Sequence, residues 1–181
     1  MSSATRVLSH VVRSRELAVA VVLVALVVVT TLRNDNFLFS PDGWRNLLLN
    51  PSMLLILAVG QTAVIITRNV DLSVGSTLGL TAYAVGKLYT TYPDLPVVLV
   101  FLAGLVFGGL LGLVNGVLVT FGKVPALVIT LGTLYIYRGI FLSWAGSDRI
   151  TASDMPRDFL ALGTKQVLTI PVLTIIALVV L

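Results

Sequence analysis

The sequence has no cysteine and a single histidine, and only 11% of its 181 residues are charged. Without cysteine there is no disulfide framework, no thiolate zinc site and no thiol nucleophile. The one histidine, His10, lies in a polar N-terminal leader, so a Ser-His pair at bilayer depth is excluded as well. A soluble domain carries about 25% charged residues. The shortage of charge, together with 57% hydrophobic residues and a mean hydropathy of +1.02, therefore indicates a polytopic membrane protein.

The net charge of +4 does not point to nucleic acid, because Lys and Arg stand singly between apolar runs and form no basic face. "GVLVTFGKV", Gly116 to Val124, superficially looks like a phosphate loop. It has one residue too many between its glycines, and Val124 stands where Ser or Thr must hold magnesium. No internal nucleotide site, cofactor or metal site is expected, and no catalytic residue.

The hydropathy pattern predicts an all-α fold with about five complete spans and the start of a sixth. A cytoplasmic leader over residues 1–16 precedes a transmembrane domain over 17–181. The first span is Leu17–Leu32, a retained helix and not a cleaved signal, since "VVVTTLRND" offers no small-residue cleavage site. The stretch Arg33–Asn46, with Pro41, Gly43 and Trp44, reads as an outer loop, and the second span as Leu47–Thr67 with Pro51 near its start. Further spans are expected over Leu72–Tyr89, Val97–Phe121 and Leu127–Ala145. Gly146–Gln166 reads as an outer loop with room for a short surface helix. The final run, Leu168–Leu181, is short for a span, and the chain is read as the N-terminal part of a longer protein.

Orientation rests on the basic cluster Arg6, Arg13 and Arg15, which places the N-terminus in the cytoplasm. A total count does not support it. Five basic residues fall inside (Arg6, Arg13, Arg15, Arg68, Lys123) and six outside (Arg33, Arg45, Lys87, Arg149, Arg157, Lys165).

Ionisable and polar groups at membrane depth are costly and mark candidate function. "RNVDLSVGS", Arg68 to Ser76, interrupts the second and third spans. Asp71 is expected to cap the third helix by accepting from the amide of Ser73 or Val74. The same break exposes Asn69, Asp71 and Ser73 to a solvent-filled pathway, and the two roles are compatible. Asn115 is expected to hydrogen-bond between helices, and Thr130 and Thr133 to bond back to their own helix. Arg138 either snorkels to the outer headgroups or turns inward to pair. Gly104, Gly108, Gly112 and Gly116 share one helix face, with Gly75 and Gly79 as a weaker copy, and both faces are candidates for close helix packing.

Three stretches in order, "TRNVDLSVGS" (Thr67–Ser76), "GLLGLVNGVLV" (Gly109–Val119) and "VPALVITLGTLYIYRGI" (Val124–Ile140), resemble the permease subunits of bacterial ATP-binding-cassette importers for monosaccharides. That group handles ribose, xylose, rhamnose and autoinducer 2. Arg68 and Asn69, where ribose-type members more often have two glycines, resemble the rhamnose and autoinducer branch. The loop "ITASDMPRDFLALG" is most similar to rhamnose permeases. The resemblance implies import of a monosaccharide, rhamnose first, across the inner membrane. It also implies a second permease subunit, two cytoplasmic ATPase subunits and an extracytoplasmic sugar-binding protein. The permease itself does no bond chemistry, and the segment that couples to the ATPase is expected beyond this sequence. Readings of other classes are an ion-coupled secondary transporter or a membrane-anchored receptor or assembly protein.

Overall fold

A computed structural model describes residues 15–34, 37, 40–167 and 170–181. The leader up to residue 14 and parts of the loop after the first span therefore lie outside the described residues. The chain divides into two compact units, one ending at Asn50 and the other running from Pro51 to Leu181. The protein is an all-α polytopic membrane protein.

In the first unit, α1 spans Arg15–Arg33. Its apolar part, Leu17–Arg33, is 17 residues, or about 25 Å at 1.5 Å per residue, slightly short of the hydrocarbon core. Valine and leucine point outward on all sides, as suits a helix whose solvent is lipid. The hydroxyls of Thr30 and Thr31 donate to Leu26 O and Val27 O (both 2.7 Å), so neither is left unmet in hydrocarbon.

Helix α2 runs Pro41–Ile66 and begins earlier than the sequence suggests. Residues 41–46 are helical and not loop. The reason is local: Gly43 N–H donates to Ser40 Oγ at 2.9 Å, and Pro41 occupies the first helical turn, where a missing N–H costs nothing. Pro51 consequently sits in the helix interior and not near the start. It forfeits the bond to the carbonyl one turn back. The boundary between the two compact units falls at this proline.

The C-terminus of α2 closes in a Schellman arrangement. Asn69 N–H donates to Val64 O (3.3 Å) and Arg68 N–H to Ile65 O (2.8 Å), with Arg68 in the left-handed region at φ 58°. After the break come α3 (Val74–Thr91), α4 (Val97–Gly122) and α5 (Ala126–Ala145). By length and apolarity alone, Arg45–Ile66, Val97–Gly122 and Ala126–Ala145 suffice to cross a membrane.

Helix α3 is the less apolar, central one. It packs on both α4 and α5 and buries Leu80, Tyr83, Gly86 and Tyr89 along one stripe. Tyr83 meets Phe141 and Trp144 of α5 edge-on, with ring centres 5.5 and 5.2 Å apart. Toward α4, a methyl added at Gly104 would stand 3.0 Å from Val85 Cγ2, and one at Gly108 would stand 3.5 Å from Thr81 Oγ1. At Gly75, Gly79, Gly112 and Gly116 the corresponding space is open to 4 Å.

The segment after α5 is ordered by local bonds. Thr151 and Asp154 form a capping box around the short 3-10 turn Ala152–Asp154. Helix α6 follows at Arg157–Thr164. Ile150 lies against Gly86, 3.1 Å from where a Cβ would stand, and Phe159 packs on the buried Tyr89 ring at 5.0 Å. A two-residue antiparallel pair, β1 (Gln166–Val167) with β2 (Ile170–Pro171), leads into α7 (Val172–Val180). Ser52 of α2 donates to Thr174 of α7 at 2.8 Å.

Candidate functional site

Between Thr67 and Ser73 the backbone is neither helix nor strand, so its polar groups need partners from elsewhere. Two of its carbonyls obtain them from α2 and α5, and the side chain of Ser73 obtains one from α4. Gln61 Nε2 of α2 donates to Asp71 O (3.1 Å), Thr130 Oγ1 of α5 donates to Val70 O (3.2 Å), and Asn115 Nδ2 of α4 donates to Ser73 Oγ (2.8 Å). Ser73 Oγ in turn donates to Asp71 Oδ1 (2.6 Å), which also accepts Ser73 N–H (2.8 Å). The carboxylate is thus tied through one serine to α4, the most apolar of the three helices long enough to cross a membrane.

Asp71 stands two residues before the N-cap, which is Ser73. The bond to the Ser73 amide closes an Asx turn and does not cap α3 itself. Ser73 is 0% exposed and its carbonyl accepts from Ser76 Oγ (2.8 Å). Asn115 is 6% exposed, and its Oδ1 has no partner among the described residues.

Beside this network lies a cavity of ≈ 220 Å³. Its polar wall comes from Thr67, Asn69, Asp71, Asn115, Thr120 and Thr130, and Gly112 and Gly116 leave room on the α4 side. Asn69 Nδ2 donates to both Thr67 O and Thr67 Oγ1 at 3.1 Å. Its lining comes from the end of α2, the second half of α4 and the start of α5, at the end read as cytoplasmic from the sequence.

Of the residues singled out from sequence, Asn69, Asp71, Asn115 and Thr130 line this cavity, and Ser73 joins two of them from behind. Thr133 does not line it; its hydroxyl bonds back to Ile129 O (3.1 Å) and Thr130 O (3.3 Å). Thr130 differs from expectation: it reaches across to Val70 O and does not bond its own helix. Arg138 lies elsewhere, on a ≈ 370 Å³ groove with Gly75, Ser76, Gly79 and Phe141. It forms no ion pair among the described residues. Gln61 was missed by sequence reasoning, although an amide inside "LAVGQTAV" is the signal that finds it.

No group of His, Cys, Asp or Glu among the described residues is arranged to hold a metal. The cavity is small, and Val64, Val70, Val119 and Ala126 form an apolar wall facing its hydrogen-bonding groups.

A family model described as "Branched-chain amino acid transport system / permease component" matches residues 44–181. The autoinducer 2 import system permease protein LsrC of Enterobacter sp. (strain 638) is 42% identical over 135 residues, covering 74% of this chain and 38% of that protein. The proteins of the same name from Escherichia coli (strain K12 / DH10B) and Salmonella typhi are 51% and 50% identical over 94 residues, covering 52% of this chain and 27% and 26% of theirs. The chain therefore spans well under half the length of the curated relatives it matches. No solved structure matches it.

Proposed function

The chain belongs to the family of branched-chain amino acid transport system permease components, and from that membership we propose that it acts as a permease subunit of an ATP-binding-cassette importer for a small hydroxylated solute. The names of the relatives favour autoinducer 2 as that solute over rhamnose. Rhamnose rests on the outer loop Ile150–Gly163 alone. The protein works in the inner membrane, multi-pass, with its N-terminus in the cytoplasm. Its partners are a second permease subunit, cytoplasmic ATPase subunits, an extracytoplasmic binding protein and the surrounding lipid.

The observation that carries the reading is the polar chamber at the break between α2 and α3. At ≈ 220 Å³ it is below the size of sites for drug-like ligands, in keeping with a monosaccharide-sized guest. Closure of the ATPase dimer would switch the permease pair between outward- and inward-facing states, and the solute would pass between the subunits. Weak hydrogen bonds along the way are what such a path needs, since tight binding would prevent release. Asn69, Asp71, Ser73, Asn115 and Thr130 are the residues proposed to form that stretch of the path.

The test is uptake of autoinducer 2 and of rhamnose by cells with and without the full importer. Autoinducer uptake that depends on the importer supports the reading. Rhamnose uptake with the same dependence would move the substrate to the second sugar, and dependence for neither would sink the importer assignment for both.

A further inference from the structure

The hydrogen bonds around the chamber leave an unequal balance of donors and acceptors. Of its side-chain nitrogens, Asn69 Nδ2 is engaged twice on Thr67, whereas Asn115 Nδ2 makes one bond, to Ser73, and keeps its second N–H. The hydroxyls of Thr67 and Thr130 are engaged as donors too, on Val64 O (2.6 Å) and Val70 O. Among the side chains, unmet oxygens outnumber that one N–H, and the backbone amides of Val70, Asp71 and Ala126 stay open beside them. Asn115 Oδ1 is buried and unmet, Asp71 has only Oδ1 engaged, and no bond is made to Asn69 Oδ1. Thr120 keeps the one free hydroxyl, which can donate or accept.

Asp71 is also the only ionisable residue on the wall. Arg68 and Lys123, both in left-handed turns nearby in sequence, do not line it. In surroundings of low dielectric an uncompensated carboxylate repels an anion much more strongly than it does in water.

We infer that this chamber is a charge filter: it accepts a neutral or cationic solute that donates hydrogen bonds through its hydroxyls or amines, and turns away anions of the same size. The inference rests on the importer reading and sharpens its substrate class. A sugar or polyol fits, whereas a sugar acid or sugar phosphate does not. An amino acid would bring its carboxylate against Asp71 with no cation on the wall to hold it.

The absence of cysteine from the chain gives a direct test. In the full importer in membranes, Thr120→Cys places a thiol on the chamber wall. Its labelling is followed with methanethiosulfonate reagents carrying an ethylammonium or an ethylsulfonate group, each rate normalised to a free thiol and read against the importer without the substitution. The cation is expected to react faster than the anion by on the order of tenfold. Asp71→Asn should abolish the preference while keeping the turn at Ser73, because an asparagine oxygen accepts the same amide bond. Asp71→Glu should retain it. Equal normalised rates in the Thr120→Cys protein would overturn the inference, and so would a preference that survives Asp71→Asn. If Thr120→Cys and a second probe, Gly116→Cys, both resist labelling, the chamber is closed to solutes and the inference fails. Equal rates with intact uptake would remove the filter and leave the importer reading standing. A clear preference without any uptake would keep the filter and remove the importer.

Discussion

At the residue scale, the backbone at Arg68 and the amide of Asn115 make opposite demands on their side chains. Arg68 takes a left-handed conformation at φ 58°, which costs an L-residue roughly 1 to 2 kcal/mol and glycine almost nothing. Arg68→Gly is expected to stabilise the protein by about 1 kcal/mol or less, because glycine also loosens the unfolded chain. Arg68→Val should destabilise it, so thermal unfolding of the two variants in detergent should bracket the parent. Equal midpoints would contradict the turn geometry. Asn115 bridges α4 to Ser73, and Ser73 Oγ lies 2.6 Å from Asp71 Oδ1. Asn115→Asp sets a second carboxylate across that serine. It should lower thermal stability more than Asn115→Ala, which leaves only one hydroxyl lone pair unmet. The reverse order would contradict the bridge from Asn115 through Ser73 to Asp71.

At the element scale, the glycine face of α4 divides in two. Gly104 meets α3, where an added methyl would crowd Val85 Cγ2 at 3.0 Å, whereas Gly112 has open space beside it. Gly104→Leu should therefore cost about 1 to 3 kcal/mol through overpacking, while Gly112→Ala leaves the thermal midpoint close to that of the parent. Similar losses at both sites would contradict the division. Four-residue spacing told of a common face but not of what stands opposite each position, since that depends on where α3 crosses. Helix ends were legible where one residue type has one use and illegible where it has two. Pro41 was read as a loop residue although it serves as the first helical residue after Ser40, and that pushed Pro51 into the helix interior. The turn at Thr151 carries a pH-sensitive element. Hydrogen bonds from the Thr151 amide, then from its hydroxyl, hold the Asp154 carboxyl below its ordinary value. A depressed folded value means that the stabilisation is complete above the ordinary carboxylate range, near pH 4. It is lost as pH falls through the lower folded value. Hydrogen exchange at the Thr151 amide should stay protected down to that range and then rise, with Asp154→Asn removing the step. A flat profile would dissolve the capping box.

At the scale of the whole molecule, the second compact unit is organised around a helix that is not its most apolar. α3 is central because its stripe of Leu80, Tyr83, Gly86 and Tyr89 meets neighbours on both sides. The flanking α4 and α5 present leucine, valine and phenylalanine outward. The polar break therefore lies where three helices can reach it, and Asn69 with Asp71 in the break, Asn115 in α4 and Thr130 in α5 were all visible in the sequence as polar residues within or between apolar runs. Their convergence on one chamber was not, because apolar helices carry little information on which face turns inward when all faces are hydrophobic. Gln61 belonged to the same pattern and was passed over. Arg138 was legible as a costly charge, yet its place on a separate groove was not. The central claim is that the chamber at Asp71 lies on the solute path. It is tested most directly by solute uptake through the full-length importer carrying Asp71→Ala, with the amount of permease in the membrane measured alongside. Uptake should fall by on the order of tenfold or more, equivalent to about 1.4 kcal/mol in the transport barrier, at an unchanged membrane level. Normal uptake by that variant at normal abundance would contradict the account.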